Sequence, residues 1–150
     1  MLARLRSRCY LSLVLLGVWL FATQSDARTP RVLLGEVRTL GSVAPARAHV
    51  FRELVQRTFA TMQIAEGVGG PSYVLSTTLL ELSTVEREHS HTKTCVVSLV
   101  LRDRKAGTLK AALSGEARLL ESERPTREGD QIVMQTAVRR ALFRLRDFLK

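Results

Sequence analysis

From Thr108 to Leu119 the chain alternates in character at every second residue. Leu109, Ala111, Leu113, Ala117 and Leu119 would share one side of an extended backbone, and Lys110, Ser114, Glu116 and Arg118 the other. A strand of this kind packs on one face and is wet on the other, so other parts of the chain must cover its apolar side. Two further stretches read as strands of the same sheet. Tyr73–Leu82 is rich in β-branched and apolar residues and predicts a strand running to about Val85. Thr94–Arg102 predicts another, and Asp103–Gly107 forms a hairpin loop between it and Thr108. The polar run Glu86–Lys93 reads as the connection between the first two. Arg31–Arg38 is a shorter β-rich segment, ended by Gly41 and Ser42.

The cover comes from two segments with a different period. Over 45–63, Val50, Phe51, Leu54, Val55, Phe59 and Met62 recur every three to four residues, which predicts an amphipathic helix entered through Pro45. A second helix is expected from Asp130, read as its N-cap, with Val133, Met134, Ala137, Val138, Ala141, Leu142, Leu145, Phe148 and Leu149 on the apolar side. Its last turns carry Arg139, Arg140, Arg144, Arg146 and Lys150, where the helix dipole favours cations. The order β-α-β-β-β-α predicts an α+β two-layer sandwich, with a mostly antiparallel sheet and two amphipathic helices on one face. The first strand can join the sheet by a parallel crossover through the first helix.

Residues 1–27 read as a signal peptide. Arg4, Arg6 and Arg8 precede an uncharged run from Leu11 to Ala22, and Ser25-Asp26-Ala27 supplies a small-x-small exit. The run is shorter than the roughly 20 apolar residues that span a bilayer, so a membrane anchor is expected only if the leader stays uncleaved. Cys9 lies before the apolar run, not after it as a lipid-modified cysteine would. The expected product is one exported domain, 28–150, periplasmic or secreted, in which Cys95 has no partner for a disulfide.

Composition narrows the function classes. Apolar residues make up 45% of the 150-residue chain, enough for a core and too many for a disordered chain. The net charge of +9 favours anionic ligands: a membrane surface, a glycan or another polyanion. Nucleic acid is disfavoured, because the aromatics of 28–150 (Phe51, Phe59, Tyr73, Phe143 and Phe148) form no stacking platform on a strand. Phe143 falls off the main apolar stripe and is the one aromatic expected at the surface. With Arg139, Arg140, Arg144 and Arg146 it makes the candidate binding cluster.

Catalytic signatures are missing. The chain has no G-x-S-x-G and no P-loop, and Gly67-Val-Gly-Gly-Pro-Ser72 follows a helix instead of opening one. No pair of acids can be singled out for acid–base work, so no enzyme activity and no cofactor is expected. His89, His91 and Cys95 would share a face of an extended chain and form the one metal-ligand candidate, for Zn²⁺ or Cu⁺. Three ligands from one strand rarely close a tetrahedral site, so a solvated connection is the plainer reading.

The run of a strand, a helix, Tyr73-Val-Leu-Ser-Thr-Thr-Leu79, then Val97-Ser-Leu-Val-Leu-Arg-Asp-Arg-Lys-Ala-Gly-Thr-Leu109 and a closing helix resembles small bacterial envelope accessory domains. Among these are the lipoprotein activators of penicillin-binding proteins, the curli secretion lipoprotein and the N-terminal domain of the Tol-system propeller protein. The resemblance covers roughly 31–149 and implies a non-enzymatic protein that contacts an envelope protein partner. It assigns no site residues. Exposed strand edges offer one route to a partner, by strand addition, and the basic helix end another.

Overall fold

The computed structural model describes residues 30–41, 43–62, 64, 70–87, 90–122 and 125–150. The expected leader, 1–27, and His89 lie outside them. Six elements follow in order: β1 (Arg31–Thr39), α1 (Pro45–Thr61), β2 (Ser72–Arg87), β3 (Ser90–Asp103), β4 (Leu109–Glu121) and α2 (Arg127–Phe148). The sheet runs β1-β2-β3-β4. β1 lies parallel to β2, reached through the α1 crossover, and β2, β3 and β4 are antiparallel. This is the α+β sandwich expected from the sequence.

Side-chain parity decides which face is packed. Leu75, Leu79, Cys95, Val97, Leu99, Leu101 and Ala117 form one buried cluster with Phe51 and Val55 of α1 and with Val133, Met134, Ala137, Val138, Ala141, Leu142 and Leu145 of α2. Both helices therefore cover the same side. On β4 the odd residues face inward and Ser114, Glu116 and Arg118 are exposed, as the alternation requires. A bulge between Leu79 and Glu81 inserts Leu80 and restores inward pointing at Leu82, opposite Cys95. At the β3–β4 turn Gly107 takes φ +68°, and the Asp103 carboxylate accepts the N–H groups of Lys105 and Ala106. Those two bonds hold the Asp103 carboxyl below its ordinary pKa.

Two boundaries and one burial differ from the sequence reading. Glu86–Lys93 is not a polar connection: β2 continues to Arg87 and β3 resumes at Ser90, with Thr84 paired to Lys93, Val85 to Thr92 and Glu86 to His91. Lys93 points inward from this extension, where an ionic cluster receives it. The final helix starts at Arg127, ahead of the expected Asp130, and its N-cap is Thr126, whose hydroxyl accepts the Gly129 N–H at 3.0 Å. Asp130, expected as the cap, is instead a buried first-turn acid. Phe148, expected on the packed side, is exposed, while Leu149 beside it packs against the core.

Candidate functional site

Helix α2 presents two different surfaces to solvent. One is a ridge running along its outward pole. Ile132, Thr136, Arg139 and Phe143 follow one another at four- and three-residue steps, so they stack on one side of the helix. Ile132 and Phe143 are each 45% exposed, and Arg146 sets its guanidinium 4.8 Å from the centre of the Phe143 ring. That cation–π contact holds an aromatic in water with a charge beside it. Arg139 is exposed and has no carboxylate partner among the described residues. Phe143 thus sits at the surface as its position predicted. Ile132 was missed: only its register with Phe143 separates it from the core stripe.

The second surface faces the outer edge of the sheet. Arg140 donates from Nη1 to the Glu116 carbonyl at 2.7 Å, and Arg144 from Nη1 to the Ser114 carbonyl at 2.8 Å. Arg118 pairs with Glu116 beside them at 2.8 Å. A cavity of about 580 Å³ lies here, lined by Ser114, Glu116, Ala117, Arg118, Arg140 and Arg144. The five-residue cluster read from the sequence is therefore two groups. Arg139, Phe143 and Arg146 look outward, while Arg140 and Arg144 reach over β4. Neighbours in sequence diverge because each helical residue turns by about 100°.

Of the three metal candidates, His89 lies outside the described residues, and His91 and Cys95 stand apart. Cys95 is wholly buried in the core, where desolvation pushes its thiol up to about 12. His91 lies four residues away on the same strand face, half-buried, 3.6 Å from the Glu86 carboxylate. Four residues of strand span ~13 Å, far beyond the reach of two ligands on one ion. Among the described residues no group of three His, Cys, Asp or Glu side chains could hold a metal.

What the sequence did not reveal is a buried ionic cluster at the start of α2. Lys93, 1% exposed, places Nζ 2.8 Å from Asp130 and 3.3 Å from Glu121, and it also donates to the Thr126 carbonyl. Arg47 of α1 reaches the other Asp130 oxygen at 3.0 Å. Thr126 donates its hydroxyl to Glu121 at 2.9 Å. Burial would raise the Glu121 carboxyl, but bonds from Thr126 and Lys93 outweigh it and leave the group below its ordinary value. Two cations and two anions thus compensate one another, joining β3, β4, α1 and α2. Such balance suits a structural tie, since every charged group already has its partner.

The fold and these surfaces define a class: a small α+β domain whose distinctive surface is a basic helix laid along the edge strand of the described sheet. No protein-family model matches the chain, and no curated protein matches its sequence. Solved structures do share the fold. PelC of Paraburkholderia phytofirmans, in a dodecamer of a point variant, is 14% identical, with 79% of this chain and 90% of that one covered and a TM-score of 0.54. XCC0632 of Xanthomonas campestris, assigned to family model DUF330, is 10% identical, with 82% and 85% covered and a TM-score of 0.54. Lipoprotein GNA1162 of Neisseria meningitidis is similar more loosely, at 13% identity, 69% and 92% coverage and a TM-score of 0.44. PelC and XCC0632 thus share the fold of this chain. The particular families named from the sequence are not among these three. No described helix is long and apolar enough to cross a membrane.

Proposed function

We propose that this protein is an exported, non-catalytic accessory domain of the bacterial envelope that docks a protein partner through the outward ridge of α2. The observation that carries this reading is the ridge itself. Ile132 and Phe143 remain exposed on a helix whose other side is packed, and Arg139 and Arg146 flank them. Apolar and aromatic anchors bordered by arginine are what protein interfaces favour at their centres. The export signal read over 1–27 supports the location. PelC, which shares the fold, forms a dodecamer, and this supports a domain that works by packing against protein.

A second reading has its own observation. Arg139 has no carboxylate partner among the described residues and Arg146 lies over an aromatic ring, so both guanidinium groups can meet an anionic membrane surface or glycan. Salt separates the two, because attraction to a polyanion fades steeply with ionic strength and a packed interface does not. The test is affinity capture of the tagged protein from its native envelope, washed in parallel at low and high salt. A discrete protein held at high salt by the wild type and lost by an Ile132→Ser, Phe143→Ser double variant supports the ridge. Capture of anionic lipid or glycan alone, released by salt, overturns it in favour of the second reading.

A further inference from the structure

Among the described residues, the outer edge of β4 has its carbonyls answered and its amides open. Successive residues of a strand point their backbone groups to opposite sides, and each residue sends its N–H and C=O the same way. The carbonyls of Ser114 and Glu116 point away from β3, where Arg144 and Arg140 reach them, so the N–H groups of these two residues point outward as well. Arginine carries donors only and can answer the carbonyls but never the amides. A ligand that satisfies this edge must bring acceptors too, and a peptide backbone brings both.

We propose that this edge takes an extended acidic segment of a partner protein as an added fifth strand, with Arg140 and Arg144 turning from the β4 carbonyls to its carboxylates. The proposal rests on the protein-docking reading above and names a second contact and its chemistry. Spacing supports it. Arg140 and Arg144 are four residues apart, ~6 Å along a helix. Side chains at i and i+2 of a strand are ~6.7 Å apart on one face. Two acids separated by one residue therefore match the two guanidinium groups. In an antiparallel added strand the residues that alternate with those acids turn their backbones toward β4, one opposite Ser114 and one opposite Glu116. Charge agrees as well: three arginines border this cavity, and its one acid, Glu116, is already paired with Arg118. Each guanidinium has five N–H donors, and the carbonyl contact of each is made through Nη1 alone.

The probe is a fluorescent peptide, Thr-Glu-Val-Glu-Val-Thr, titrated onto the full chain by anisotropy. Three controls accompany it: the same peptide with Gln for both Glu, the peptide N-methylated at both Val, and the Arg140→Gln, Arg144→Gln double variant. Binding by the parent peptide should fall at least tenfold in each control. Circular dichroism of the double variant should match the wild type, since both side chains are exposed. Failure of the parent peptide to bind overturns the proposal. So does binding that survives N-methylation, which would be charge attraction without strand pairing. If either occurs while the high-salt capture above succeeds, the added strand is wrong and the ridge stands. If the capture fails as well, both are wrong.

Discussion

Thr77 carries a hydroxyl into the centre of the core. Its side chain is wholly buried between the inward Leu75 and Leu79, and Oγ1 finds no hydrogen-bond partner among the described residues. A buried, unanswered hydroxyl costs about 1–3 kcal/mol relative to one that is bonded or absent. Thr77→Val keeps the branched shape and removes the polar atom. It should raise the urea midpoint, with a gain of about 1 kcal/mol. A lowered midpoint would mean that the hydroxyl is satisfied in solution. Single residues also explain why the sequence misled. Lys93 and Cys95 stand two apart on one inward face, one charged and one not. Polarity alone placed Lys93 in a loop, yet it is as deeply buried as Cys95. Only partners on other elements distinguish a buried lysine from a solvated one.

Between elements, α2 lies hard against β4 at Gly115. A Cβ built on Gly115 would stand 2.1 Å from the Ala137 carbonyl oxygen and 2.9 Å from the Ala141 Cβ. The strand has no side chain there so that the helix backbone can lie directly on it, with small residues opposite. Closeness at this point also brings Arg140 and Arg144 within reach of the β4 carbonyls. Gly115→Ala must push the helix away. It should destabilise the domain by about 1–3 kcal/mol, read as a lower urea midpoint. A midpoint equal to the wild type would mean that α2 is not seated as described. The alternation of 108–119 made β4 legible, and its glycine was simply the gap in the inward row. Nothing in the sequence says that a gap receives a helix backbone, because the occupants, Ala137 and Ala141, belong to another element.

At the scale of the molecule, the ionic cluster ties four elements together and gives stability a defined pH dependence. The groups facing Glu121 are Lys93 and, directly across the strand pair, His91 of β3, with Thr126 at the head of α2. Asp130 of α2 shares Lys93, and Arg47 of α1 closes the set. The folded Glu121 carboxyl titrates below its unfolded value. Its contribution is therefore present above the unfolded carboxylate pKa of about 4.3 and is lost as pH falls through the lower folded one. Urea midpoints of wild type and Glu121→Gln should differ at pH 7, and the gap should narrow as pH falls below about 4.3. A gap that persists unchanged at pH 3 would show that the ionised form has no special role.

The sequence by itself determined the periods: two at the strands, three to four at the helices. From those follow the order of elements, the packed and wet faces of β4 and the surface position of Phe143. A period depends only on local backbone geometry, and that is written residue by residue. It also carried the basic character of the last helix, though not its division of labour. Tertiary structure decided where Arg140 and Arg144 go, that Lys93 is buried, that Thr126 and not Asp130 caps α2, and that Glu86–Lys93 belongs to the sheet. Each of these turns on a partner on another element, and the energy of a buried polar group is set by that partner, not by its neighbours in the chain.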